Sequence, residues 1–175
     1  LIDKNEDQAI KIATEIIDNF QNIYEIKWLN MMRDKLGLFG EDKDDLELIN
    51  NLLNWMQSNK ADYTNTFCHL MNISSIQDQI YKDKDFIDWS KNWEKRILMN
   101  GESKENSIKL MKKNNPIVIP RNHKVEEALE AANKNDLKPL YDLLSILKKP
   151  YTKQINIEKF QTPSNNQNYQ TFCGT

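Results

Sequence analysis

Apolar residues recur at three- and four-residue steps through most of the first 150 positions, the period of an amphipathic helix. Ala9, Ala13, Ile16, Ile17, Phe20, Ile23, Tyr24, Trp28 and Met31 fall on one face of a long first helix. Asn5 with Gln8 suits its start, and Gly37 lies just past its end. A second helix fits 44–58, with Leu46, Ile49, Leu52, Leu53 and Met56 inward and Asp44 or Asp45 at its positive N-terminus. A third begins near Asp62 and groups Tyr63, Phe67, Leu70 and Met71, with Ser74 or Ser75 suited to cap a short turn after it. A fourth follows Asp85 and aligns Phe86, Trp89, Trp93 and Ile97. Gly101 interrupts, and Ser103 restarts a helix through Met111.

The stretch "NNPIVIP", 114–120, breaks the pattern differently. Pro116 and Pro120 flank three β-branched residues, which predicts extended chain. Asn122 then suits the cap of a helix bearing Val125, Ala128, Leu129 and Ala132. Asn135 or Asp136 starts the next, with Leu137, Leu140, Leu143, Leu144 and Leu147, and it stops before Pro150. The two form a helical hairpin. From residue 151 the pattern dissolves into Asn, Gln, Thr and Lys. The expectation is an all-α fold: an irregular bundle of about six to eight helices over residues 1–150, with a polar tail over 151–175, extended or poorly ordered. Only four glycines occur, which favours helices joined by short loops.

Composition narrows the function classes. A length of 175 residues fits one domain, or one domain plus a tail. The net charge of −2 lacks the footprint of a nucleic-acid binder. No apolar run approaches the roughly 20 residues of a membrane span. The opening "LIDKNEDQ" is acidic and polar, unlike a signal peptide, and it does not begin with Met. A piece of a longer protein is expected. Cys68 and Cys173 are too few and too far apart for a secreted disulfide scaffold, so a reducing cytoplasm is the default.

Little in the chain carries chemistry by itself. Cys68 and His69 are neighbours, so on a helix they point about 100° apart and chelate poorly. "DKDFID", 83–88, opens like a calcium loop but lacks the turn glycine and the closing Glu, which leaves a solvated cap on the fourth helix. "EDKDD", 41–45, fits a solvated helix start better than a metal cluster. No Gly-rich phosphate loop, nucleophile elbow, H-E-x-x-H or kinase catalytic-loop motif is present. Cys173, three residues from the end of "YQTFCGT", is either a free thiol in a solvated tail or a thiol delivered to a site.

Several segments carry a resemblance. "WLNMMRDKLGLF" (28–39), "LINNLLNWMQSNKADYTNTF" (48–67), "NP" followed by "RN" (115–122) and "ALEAANKNDLKPLYDLLSILKKPY" (128–151) stand in the order found in the selenoprotein O family, as does a cysteine near the C-terminus. The resemblance implies a kinase-like (pseudokinase) fold that transfers AMP from ATP, with Mg²⁺, to Ser, Thr or Tyr hydroxyls of protein substrates. The family's ATP-binding lysine, paired glutamate, catalytic Asp and metal ligands lie in its N-terminal and middle portions, and those motifs are missing here. The chain therefore resembles the helical C-terminal part, inactive alone. No catalytic, cofactor-binding or metal residue carries over, and ATP and Mg²⁺ belong to the intact protein. The implied partners are the missing N-terminal catalytic part and the protein substrates, with no nucleic acid and no membrane. Cys173 matches the family's tail cysteine, which is linked to redox control through a disulfide near the active site. Departures are Cys68, where relatives usually have Arg, Pro120, where they have an aliphatic residue, and "TPSNNQN" in the tail. Two other readings remain: a helical protein-interaction module, and a stand-alone redox protein using Cys173 and Cys68.

Overall fold

Eight α-helices follow one another among the described residues, and no strand is found there. They are α1 (Glu6–Leu36), α2 (Asp45–Asn59), α3 (Tyr63–Leu70), α4 (Lys84–Leu98), α5 (Lys104–Asn114), α6 (Asn122–Asn133), α7 (Lys138–Leu147) and α8 (Glu158–Gln161), with a 3₁₀ turn at Gln79–Lys82. The computed structural model describes residues 2–73, 79–99 and 101–164. Ser74, Ser75 and Cys173 lie outside them. The all-α expectation holds.

Helix boundaries follow side-chain chemistry. The Asn5 side-chain oxygen Oδ1 accepts from the Gln8 amide at 3.1 Å. Asp62 and Ser103 cap α3 and α5 in the same way, accepting from the Asn65 and Asn106 amides. Asp83, rather than Asp85, caps α4, because its carboxylate accepts from the Asp85 and Phe86 amides. Arg121, not Asn122, stands at the cap of α6, since its backbone is still extended and Asn122 is already helical. Asp136 accepts from the Lys138 amide, and α7 then starts with Pro139 in its first turn. Helix α5 runs three residues past Met111, to Asn114, and ends where Asn115 turns extended before Pro116.

Gly37 closes α1 at φ 69°. A Cβ there would stand 2.6 Å from the Ser107 carbonyl oxygen of α5. The position needs glycine twice over, for the left-handed turn and for the close approach.

The core sits where the C-terminal third of α1 meets α2 and α5, and where α2 meets α4. Met32, Leu36, Ile49, Leu52, Phe67 and Met111 are fully enclosed. The Trp stripe of α4 does more than fill space. Trp93 Nε1 donates to the Leu36 carbonyl at 2.8 Å, and Trp89 Nε1 to the Leu48 carbonyl at 2.8 Å. Trp55 of α2 donates to the Asp83 carboxylate. The inward face of α2 is centred on Leu52 and Trp55, which turns Leu46 out to the edge. Leu129, Leu137 and Leu144 are likewise exposed, because the α6–α7 hairpin packs through Ala128, Leu143 and Ile146.

From Asn115 to Pro120 the "NNPIVIP" stretch is non-helical, as expected. Ile117 and Val118 are buried, and the Ile117 amide donates to the Pro150 carbonyl, tying the entry of the hairpin to its exit. Beyond residue 151, where the sequence pattern fades, a single turn returns as α8. Ile157 and Phe160 enter the core. Gln161 Nε2 donates to the Ile117 carbonyl at 2.7 Å, and Asn65 Nδ2 to the Gln161 carbonyl at 3.2 Å.

Candidate functional site

The motif residues converge on one another. Asp45, the last acid of the "EDKDD" run, is fully enclosed rather than solvated. Arg96 of α4 donates to it through Nε at 2.6 Å and Nη2 at 3.2 Å, and Arg33 of α1 through Nε at 2.7 Å. The Asp42 amide adds a fourth bond at 2.9 Å. Burial pushes the Asp45 carboxyl up, but hydrogen bonds from Arg96, the Asp42 amide and Arg33 outweigh it and hold the group below its ordinary value. Arg96 also reaches the carbonyls of Phe39 and Gly40, so one carboxylate and two guanidiniums join α1, α2, α4 and the α1–α2 loop.

A second knot joins the "MRDKLGL", "DYTNTF" and "NP…RN" segments. Lys35 Nζ donates to the Asn114 carbonyl and Asn115 Oδ1 at 3.1 and 3.0 Å, and lies over the rings of Tyr63 and Phe67. Burial lowers its pKa. Asn115 Nδ2 returns to the carbonyls of Lys35 and Met111. Arg121 grips Asp62 with both terminal nitrogens, at 2.7 and 3.0 Å, while Asp62 still caps α3. Cys68 is fully buried beside this pair. Desolvation, with the Asp62 charge, pushes its thiol up to about 11. Sequence reasoning missed the Asp45 and Asp62 knots. The signal for the Asp45 knot was present in Arg96, which falls on the same helical stripe as Trp93.

His69 stacks on Tyr81, ring centroids 3.9 Å apart. Among the described residues, no three metal-ligating side chains come together. Asp45 and Asp62 are already claimed by guanidiniums, so among the described residues these carboxylates do not fit a Mg²⁺–triphosphate site. One cleft of 430 Å³ lies between α2 and α4 beside Trp55 and Trp89, and one of 410 Å³ lies beside Asp62, Tyr81 and Pro163. No helix among the described residues is long and apolar enough to cross a membrane.

The stripe of α1 takes an unexpected place. Ile16, Ile17 and Phe20 are 60%, 70% and 65% exposed, and Ile23 and Tyr24 are exposed as well. Only Met32, Arg33 and Leu36 of this helix are buried. The periodicity marks an apolar face correctly; Trp28 of that face packs against this chain's core, but Ile16, Ile17, Phe20, Ile23 and Tyr24 are exposed.

The described residues form a helical bundle whose motif residues bind one another, beside a long exposed apolar helix face. The chain belongs to the protein adenylyltransferase SelO family, whose profile matches residues 6–148. It is 52% identical, across its whole length, to the protein nucleotidyltransferase YdiU of Pelagibacter ubique, and covers 37% of that protein. It is 43% identical to the protein of the same name from Nitrosococcus oceani and 44% identical to that from Bacillus cytotoxicus, covering 36% of each. The chain thus spans little more than a third of the length of these relatives.

Proposed function

We propose that this chain is the C-terminal helical part of a longer bacterial, cytoplasmic protein adenylyltransferase with a kinase-like catalytic portion. That portion binds ATP and Mg²⁺ and transfers AMP to hydroxyl groups of protein substrates. The observation that carries the reading is the family match over residues 6–148, combined with coverage of only 36–37% of the relatives' length. The interior supports a structural role for this part. Asp45, Asp62, Arg33, Lys35, Arg96 and Arg121 direct their charged groups at one another or at backbone, which holds helices in register. No step of nucleotide transfer is assigned to any residue here. Cys173 is the proposed redox contact with the catalytic portion, on the family resemblance alone. Cys68 is a poor partner for it, being enclosed and with its thiol raised to about 11.

The test is transfer of label from α-phosphate-labelled ATP. The intact polypeptide with Mg²⁺ should label itself or an added protein, and ATP should raise its melting temperature. The 175-residue chain alone should do neither. Transfer or ATP-dependent stabilisation by the chain alone, or an intact protein that fails to transfer, overturns the reading.

A further inference from the structure

Helix α1 carries two apolar faces on opposite sides. Phe20 and Leu36 are sixteen residues apart, which at about 100° per residue sets them about 160° apart around the axis. Leu36 is wholly buried against this chain's core, and Phe20 is 65% exposed. Ala9, Ala13, Ile16, Ile17, Ile23 and Tyr24 cluster within about 60° of Phe20, whereas Met32 and Leu29 fall on the side of Leu36. Met31 continues the outer stripe, exposed, along the segment whose inner side is packed. The outer stripe runs about 33 Å from Ala9 to Met31. It points away from the core, so a rigid α1 cannot lay it on the rest of the bundle.

Helices in proteins draw most of their stability from packing an amphipathic face, and a contiguous stripe of large exposed apolar side chains marks an interface. Nearly two-thirds of the matched relatives' length lies outside this chain. We infer that the outer stripe of α1, centred on Phe20, is the docking surface for the remaining polypeptide of the same protein. The helix is then a shared wall, with this bundle on one side and the remaining polypeptide on the other. The inference rests on the proposed longer protein and adds the surface through which its parts join.

The experiment places photoreactive benzoylphenylalanine at position 20 of the intact protein and maps the adduct by mass spectrometry. The expected adduct lies within one polypeptide, on a peptide outside these 175 residues. An adduct to a second copy, an adduct within these 175 residues, or none at all overturns the inference. Hydrogen exchange supplies the second reading. Residues 9–27 should exchange at least about tenfold more slowly in the intact protein than in the 175-residue chain. Phe20→Asp in the intact protein should abolish that difference while Met32–Leu36 stays protected. Equal exchange in the two unsubstituted forms overturns the docking. Nucleotide transfer is scored separately on the same protein. Docking without transfer defeats the functional reading alone, and transfer without the adduct defeats the docking alone.

Discussion

Arg96 Nε and Asp45 Oδ1 stand 2.6 Å apart, both enclosed, across the packed faces of α4 and α2. With Arg33 they form a triad of one anion and two cations. Removing the anion leaves two guanidiniums facing each other away from water. Asp45→Asn should destabilise the fold by about 3–5 kcal/mol, the usual cost of breaking a buried pair from one side. Urea unfolding checks this. The effect has a pH signature. Asp45's folded pKa is depressed, so its contribution is complete above the unfolded value of 3.8 and is lost as the pH falls through the folded value. The stability gap between wild type and Asp45→Asn should be widest above about pH 5 and should narrow below 3.8.

Gly37 and Gly101 make a matched pair. Both have φ near 70°, but a Cβ at Gly37 meets the Ser107 carbonyl at 2.6 Å, while at Gly101 nothing lies within 4 Å. Gly101→Ala should cost only the left-handed backbone strain, about 1–2 kcal/mol. Gly37→Ala should cost that and a further 1–3 kcal/mol, roughly, for pushing α5 away from α1. Equal shifts in the denaturation midpoint would contradict the close approach.

The Trp93 indole satisfies the Leu36 carbonyl at the end of α1, where intrahelical partners run out. Trp93→Phe keeps most of the apolar bulk and deletes the donor. The expected loss is about 1–3 kcal/mol, the penalty of a buried unpaired carbonyl, plus a small cavity term. Thermal unfolding of the variant measures it.

Cys68 should resist thiol reagents in the folded chain and react once urea unfolds it, because its thiol is enclosed and raised to about 11. The sign of its pH effect is opposite to that of Asp45. The fold keeps the proton beyond the unfolded value of 9.0, so stability is complete below that pH and falls as pH rises toward 11. Cys68→Ala should lack this alkaline loss. Its stability should decline less than wild type between pH 9 and 11, by on the order of 2–3 kcal/mol.

Periodicity alone located α1 to α7, though not the single-turn α8, because burial of one face imposes a 3.6-residue repeat wherever a longer helix has a neighbour. Caps were legible to within a residue or two at Asn5, Asp62 and Ser103, where a short polar side chain satisfies a free amide locally. Motifs such as "MRDKLGL" and "DYTNTF" were legible as family features, and the profile match over residues 6–148 agrees with them. Less legible was which charges are structural. An acid in a run of acids looks solvated until two arginines, 12 residues before it and 51 after it, arrive from other helices.

The sequence by itself therefore determined the class of fold, the order of the first seven helices and the family to which the chain belongs, since each depends on local spacing or on residue identity. Tertiary structure decided which apolar face is core. Phe20 and Leu36 are both parts of well-formed helical stripes, yet one is exposed and the other sealed. Periodicity records that a face needs cover and carries no information on what covers it. Only the packing of α2 and α5 against the end of α1 shows which side this chain covers itself.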